Sequence, residues 1–157
     1  MASFNIHLAV GKRYAEKSNL IENLEDFYRG LVAPDLVDDK KFSHFSGILD
    51  KSNLIDYLSN KVLLNEYLLA KEVNSCYEKG VFLHLVTDYL FFNDFFDKWY
   101  LENISYENFC KDLYFSYNLS NNYLEKKYKL KHSVSLDLIE ENIKKNRKEK
   151  KINVRKF

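Results

Sequence analysis

A histidine and an aspartate lie four residues apart in one of the most apolar stretches of the chain. The segment VFLHLVTDYLFF, residues 81–92, contains His84 and Asp88. On a helix this spacing puts both side chains on one face, about 5–6 Å apart at Cβ. An unpaired polar group in an apolar interior costs roughly 2–7 kcal/mol. The two residues therefore need a partner, which is either each other, through a hydrogen bond in the core, or a metal ion bound by both.

Three further polar residues lie where an apolar or turn context favours partial enclosure. His7 belongs to the apolar segment FNIHLAV, Asp35 follows the only proline in APD, and His44 lies near two phenylalanines in KFSHFSG. Each also has an ordinary explanation, as a core histidine, a turn residue or a loop residue. Together with His84 and Asp88 they form a set of nitrogen and oxygen ligands suited to zinc or another divalent transition metal. Five ligands are one more than a closed tetrahedral site needs, and this surplus permits a bridging carboxylate or a second metal.

The order of these motifs resembles the zinc-dependent phospholipase C family, which shares its all-α fold with the single-strand-specific nucleases. The resemblance rests on H-x-A at His7, FYRGLVAPD ending at Asp35, SHF at His44, and FLHLVTD with His84 and Asp88. Each motif is short, and their order and combination are what is specific. The resemblance implies an all-α fold and a metal-dependent activity on phosphoesters.

The resemblance also implies a role for each ligand. Asp35, His44, His84 and Asp88 are expected to form the principal metal site, with Asp88 bridging toward a second metal near His7. Asp35 and Asp88 are the expected catalytic residues, with Asp35 as the preferred general base. The implied cofactor is zinc, as one or two ions, with manganese or iron as alternatives.

The chain departs from the family pattern in the second half of the ligand set. The remaining histidine, His132, is followed by Leu136 where the family has the glutamate of an H-x-x-x-E helix. The chain starts with Met-Ala, whereas the family has a tryptophan that binds metal through its freed amine. We therefore expect one or two metals and not a cluster of three zinc ions.

The reaction class that fits such a centre is hydrolysis of a phosphoester, because a divalent metal makes water nucleophilic at neutral pH and stabilises charge on a phosphoryl oxygen. The substrate class stays open among phospholipids, nucleotides and other phosphoesters. Tyr28, Arg29 and Lys41 are near the ligands in sequence and could contact substrate, although a surface role is the favoured explanation for each. The alternative function is a non-catalytic binding or scaffold protein that retains a structural or vestigial metal site. A helical phosphohydrolase of the His-Asp type is disfavoured, because the chain has no His-Asp dipeptide.

Helices must position these ligands. The chain has 157 residues, with 12 Tyr and 12 Phe but only 4 Gly and 1 Pro, which disfavours the many turns of an all-β protein. We predict an all-α, single-domain bundle of six or seven helices, with Gly30 and Gly80 as helix ends and a turn at Pro34. The predicted helices cover residues 5–17, 20–30, 52–80 (one broken helix or two), 81–99 as the central helix, 105–128 and 135–148, and a short strand is conceivable at 151–157.

Charge is distributed unevenly along the chain. Residues 142–157 contain eight Lys or Arg and one Glu, and the other 16 basic and 22 acidic residues leave 1–141 at −6. We divide the chain into a metal-binding helical domain, 1–141, and a basic C-terminal extension, 142–157. The extension could contact nucleic acid or anionic lipid, or it could be a solvated helix end.

The sequence also predicts a cytoplasmic protein. No secretory signal and no apolar run long enough to cross a membrane is present. Cys76 and Cys110 are isolated, which is typical of reduced thiols. Oligomeric state is left open.

Overall fold

A computed structural model describes residues 2–130, and every regular element within that range is a helix. Eight helical segments follow one another, of which α3 is a single turn of 4 residues. Their bounds are α1 Phe4–Lys17, α2 Leu24–Leu36, α3 Lys40–Ser43, α4 Leu54–Ser59, α5 Leu64–Ala70, α6 Cys76–Asp94, α7 Lys98–Glu102 and α8 Tyr106–Tyr128. The predicted all-α bundle of six or seven helices is confirmed, since seven helices remain when the single turn is set aside.

Helix α6 is the centre of the bundle, as its apolar sequence predicts. It packs against α1, α2, α4 and α5. A capping box starts it: Ser75 Oγ accepts the Glu78 backbone N–H at 3.2 Å, and the Glu78 carboxylate accepts the Ser75 N–H at 2.8 Å. The predicted bounds at Val81 and Trp99 were wrong, because this cap begins the helix earlier and α7 is a separate helix that contains Trp99.

Helices α2 and α6 touch at two glycines. A Cβ on Gly30 would lie 1.9 Å from the Tyr77 carbonyl oxygen, and a Cβ on Gly80 would lie 2.0 Å from the Phe27 carbonyl oxygen. Both glycines are inside their helices, so the prediction that they end helices was wrong. Their missing side chains let the two backbones come into contact, and this contact sets the distance between the ligands that the two helices carry.

Helix α2 runs through Pro34, where the sequence predicts a turn, and it starts at Leu24 instead of Leu20. Proline in a helix removes a backbone donor. Here it lies in the last turn, so the loss is confined to the end of the helix, and the Pro34 carbonyl accepts a hydrogen bond from Ser43 Oγ at 2.9 Å. Asp35 therefore belongs to the last turn of α2, and the helix sets its direction.

Apolar residues support α6 on both sides of the ligands. Leu8, Phe27 and Leu31 form a buried cluster between α1 and α2, and Leu85 packs with Tyr67 in another. Leu31 and Leu85 have no exposed surface. The backbone around His84 is consequently enclosed by close-packed side chains, which restrict its movement.

Several remaining predictions can be compared with the described residues. The segment 52–80 holds α4, α5 and the start of α6, and Asn53 caps α4. The predicted helix 105–128 corresponds to α8, which follows its N-cap Ser105 and ends at Tyr128. Cys76 and Cys110 are both free and half-buried. Between residues 2 and 130, no helix combines the length and apolarity that crossing a membrane requires. His132, the predicted helix 135–148, the strand at 151–157 and the basic extension lie outside the described residues.

Candidate metal centre

The five predicted ligands lie together where α1, α2, α3 and α6 meet. His7 is on α1, Asp35 is on the last turn of α2, His44 directly follows α3, and His84 and Asp88 are on successive turns of α6. Four of them are almost fully buried, and Asp35 keeps 15% of its side chain exposed. The fold therefore brings together every residue that the sequence singled out as a ligand. We call these five residues the ligand cluster.

The distances among His44, His84 and Asp88 match those between the ligands of one small cation, and His44 connects Asp35 to this group. His44 Nε2 lies 3.1 Å from His84 Nε2, 3.4 Å from Asp88 Oδ2 and 3.7 Å from Asp35 Oδ1, and His84 Nε2 lies 3.7 Å from Asp88 Oδ2. Tetrahedral ligands about 2.0–2.1 Å from zinc are about 3.4 Å apart. Four of the six edges of such a tetrahedron are thus present in the fold.

Backbone carbonyls determine which ring nitrogens of two histidines carry hydrogen. His84 Nδ1 lies 2.7 Å from the Leu31 carbonyl oxygen, and His44 Nδ1 lies 3.0 Å from the Lys40 carbonyl oxygen. A carbonyl can only accept, so each Nδ1 donates, and each neutral ring presents an unprotonated Nε2. Metal-binding histidines are held in this way by their second ring nitrogen. The two lone pairs face each other at 3.1 Å, an arrangement that a cation between them relieves.

His84 and Asp88 do not satisfy each other, although their i, i+4 spacing allowed it. The closest approach between a His84 ring nitrogen and an Asp88 carboxylate oxygen is 3.7 Å, which is too far for a hydrogen bond. Asp88 Oδ1 accepts the Ala2 backbone N–H at 2.6 Å, whereas Asp88 Oδ2 is buried without a hydrogen-bond partner. A buried carboxylate oxygen that faces two imidazole nitrogens is costly to leave uncompensated, and a divalent cation would compensate it.

His7 extends the cluster on the side of α1. Its ring stacks on that of His84, with centroids 3.7 Å apart, and its Nε2 lies 3.3 Å from Asp88 Oδ1 without the alignment of a hydrogen bond. Its two ring nitrogens are buried and unsatisfied. His7, Asp35 and His84 form a second group of three that a metal could join, sharing His84 with the group of His44, His84 and Asp88. The donor set therefore fits one cation and offers ligands for a second.

Burial determines the charge states of the cluster. It lowers the pKa of His84 well below its ordinary value, and nearby His7 lowers it further. Burial also lowers the pKa of His44, more than Asp88 and Asp35 raise it. For Asp88, burial raises the pKa, but the interactions with His7 and, to a smaller extent, His84 outweigh this effect and hold its pKa below the usual range. Neutral imidazoles and an ionised carboxylate are the forms that bind divalent metals.

Two groups that contact the ligand cluster could not be identified from motifs alone. The Leu31 carbonyl orients His84, and Lys40 contacts Asp35 through its ammonium group and His44 through its carbonyl. For Lys40 the i, i+4 spacing to His44 is a usable signal. The residues that the sequence suggested as substrate contacts do not lie in the cluster: Tyr28 is buried in the apolar core, Arg29 pairs with Asp26, and Lys41 is exposed to solvent.

Comparison of the chain with protein-family models, with curated proteins and with solved structures found no match.

Proposed function

We propose that this protein is a metal-dependent hydrolase of phosphoesters, with the ligand cluster as its active centre. The observation that carries the proposal is the convergence of two unprotonated imidazole nitrogens and two carboxylates at distances of 3.1–3.7 Å. The motif order that resembles the zinc-dependent phospholipase C family supports the same reaction class. Zinc is the proposed cofactor, as one or two ions, with manganese or iron as alternatives.

Each ligand has a proposed role. Asp35, His44, His84 and Asp88 would hold the first metal, and His7 would contribute to a second through the carboxylate of Asp88, which lies 3.3 Å from it. A divalent cation in such a centre lowers the pKa of a bound water from 15.7 toward roughly 7 and offsets charge on a phosphoryl oxygen.

Asp35 is the proposed general base. It is the most exposed member of the cluster, so one of its oxygens can accept a proton from an attacking water while the other faces His44 at 3.7 Å. Asp88 is completely buried and accepts the Ala2 N–H. Its proposed role is to hold the metal and to orient the centre.

The second candidate is a binding or scaffold protein with a structural metal, and the burial of the cluster favours it. Side chains of four ligands are at most 3% exposed, and a structural zinc site is closed by four protein ligands. The two candidates differ in whether one coordination position stays free for water.

Metal analysis tests the first part of the proposal. Protein purified without chelator should contain close to one or two equivalents of zinc, manganese or iron by elemental analysis. His84→Ala should lose most of this metal, while His132→Ala, which changes the one histidine that the sequence does not predict as a ligand, should retain it. Far-ultraviolet circular dichroism checks that both variants are helical. Wild-type protein that contains no metal and takes none up would refute the site.

Turnover tests the second part. Wild-type protein should hydrolyse a nitrophenyl phosphodiester or monoester, and a chelator should stop the reaction. Asp35→Asn should reduce kcat by at least about a hundredfold, because general-base catalysis contributes roughly 10²–10⁴-fold. Asp26→Asn, on the exposed side of the same helix, is the matched control and should retain the wild-type rate. A metal-loaded wild type with no more turnover than Asp35→Asn would support the scaffold protein.

A further inference from the structure

Solvent reaches the ligand cluster at the Asp35 edge. The side chains of His84 and Asp88 are 0% exposed, and those of His7 and His44 are 1% and 3% exposed. Asp35 is 15% exposed. A substrate that contacts a metal in this cluster must therefore approach along Asp35, and the side chains beside Asp35 are the first that it meets.

Lys40 lies at this edge. Its Nζ is 3.5 Å from Asp35 Oδ1 and donates a hydrogen bond to the Asp35 backbone carbonyl, while 41% of the side chain is exposed. An ammonium group has three N–H donors, and Asp35 takes two of them. The third can therefore bind an acceptor that arrives from solvent.

Charge balance favours an anion at this position. Asp35 and Asp88 contribute two negative charges, metal-bound imidazoles are neutral, and a single divalent cation cancels the carboxylates. With Lys40 included, these groups carry one positive charge in excess, and a second cation would add two more. When a cation binds the Asp35 carboxylate, it neutralises part of the negative charge that otherwise stabilises the neighbouring Lys40 ammonium group. A phosphate oxygen would supply negative charge to the ammonium group again, since charge-assisted hydrogen bonds to phosphate are among the strongest in proteins.

We propose that Lys40 is the phosphate-recognition residue of this centre, with its ammonium group binding one oxygen of the phosphate at the Asp35 edge of the metal-loaded cluster. The proposal rests on the proposed function for the identity of the anion. It makes Lys40 a substrate-binding residue that helps to bring phosphorus to the metal side of Asp35.

The backbone of Lys40 has a separate role, which makes the side chain testable. The Lys40 carbonyl accepts the His44 Nδ1 hydrogen, and a substitution of the side chain keeps this bond. Lys41 is the matched control, because it is the next residue of the same helical turn and is exposed. Lys40→Met removes the charge at similar length, and Lys40→Arg keeps a cation.

The experiment measures inorganic phosphate binding by isothermal titration to zinc-loaded protein freed of excess zinc, with zinc content determined in parallel. Wild type, Lys41→Met and Lys40→Arg should bind phosphate with dissociation constants within about threefold of one another. Lys40→Met should bind at least about tenfold more weakly, the loss expected for a hydrogen bond to a charged group, at unchanged zinc content. Metal-free wild type should bind no phosphate.

Two results would overturn the role of Lys40. One is phosphate binding by Lys40→Met equal to that by Lys41→Met; the other is loss of zinc by Lys40→Met, which would show that the side chain positions Asp35 for the metal. Turnover of the nitrophenyl phosphoesters separates this proposal from the hydrolase proposal. Turnover that is unchanged in kcat and KM by Lys40→Met leaves the hydrolase and removes the Lys40 role. Phosphate binding that depends on Lys40 without any turnover keeps the anion site and removes the hydrolase.

Discussion

Adding one methyl group at Gly80 should damage the candidate metal centre from a distance. Its Cβ would lie 2.0 Å from the Phe27 carbonyl oxygen and 2.6 Å from the Leu31 backbone nitrogen, and both of these are backbone atoms of α2 that cannot rotate away. Ordinary contact begins at 3.4 Å. In Gly80→Ala, α2 and α6 must therefore separate by about 1.4 Å, the difference between 3.4 and 2.0 Å.

That separation is large compared with the tolerance of a metal site. Helix α6 carries His84 and Asp88, whereas α2 carries Asp35 and the Leu31 carbonyl that orients His84. Metal–ligand distances in proteins hold to about ±0.2 Å, so a shift of about 1.4 Å is several times too large. We expect Gly80→Ala to bind zinc at least about tenfold more weakly than wild type, and Gly30→Ala to behave in the same way.

The effect on stability should be smaller than the effect on metal binding. Overpacking typically costs about 1–3 kcal/mol, and replacing Gly by Ala within a helix returns about 1 kcal/mol. Metal-free Gly80→Ala should thus remain folded, with an unfolding free energy lower by about 0–2 kcal/mol. Gly11→Ala is the control, because the atoms nearest to a Cβ there belong to the Leu31 side chain, which can change its rotamer without a shift of either backbone.

Zinc affinity is measured by competition with a chromogenic chelator, and the unfolding free energy by urea titration followed by circular dichroism. The expected result is weak zinc binding by a folded Gly80→Ala and near wild-type binding by Gly11→Ala. A folded Gly80→Ala that binds zinc as tightly as wild type would refute the argument, since the ligands would then tolerate the separation of α2 and α6.

Three further predictions follow from the same geometry. In metal-free protein, burial keeps the pKa of His84 and His44 below 6.5, so the unfolded chain takes up protons first as pH falls. The unfolding free energy should be constant above pH 6.5. Below pH 6.5 it should decrease by up to about 1.4 kcal/mol per pH unit for each histidine. Equal urea midpoints at pH 7.5 and 5.5, measured in chelator, would contradict this prediction. Ser75→Ala removes the cap of α6 and should lower the unfolding free energy by about 1 kcal/mol. Zinc content should not change, because the cap is more than two helical turns from His84. Loss of zinc would show that the cap also positions the ligands. Zinc at one hundred times its dissociation constant should raise the unfolding free energy by about 2.7 kcal/mol and Tm by roughly 5–11 °C. Adding a chelator should reverse both changes. An unchanged Tm would mean that the folded protein does not bind zinc.

Glycine and proline show where local rules mislead. Gly30 and Gly80 are predicted helix ends, because glycine is the usual C-terminal residue after a helix, and Pro34 predicts a turn. In the fold all three are inside helices. The two glycines are needed where α2 and α6 touch, and that requirement comes from a neighbour about 50 positions away in the chain, from Gly30 to Gly80. No pattern within either helix contains this information.

The amino-acid sequence determined the helical class, the approximate range of the last described helix, and the placement of His84 and Asp88 on one face of the central helix. These features depend on periodicity and on hydrogen bonds within a few residues, which a linear pattern contains. The short motifs around His7, Asp35 and His44 identified the other ligands only as candidates.

Tertiary structure alone decided that these five side chains meet. His7 and His44 are 77 and 40 positions from His84 in the chain. The packing of α1 and α2 against α6, and of α3 against α2, brings their rings within 3–4 Å of His84 or Asp88. The same packing brings the Leu31 carbonyl oxygen within hydrogen-bond distance of His84 Nδ1 and places the Lys40 ammonium group beside the partly exposed Asp35. Contacts of this kind arise from close packing between distant segments, so they become visible only when the helices are assembled.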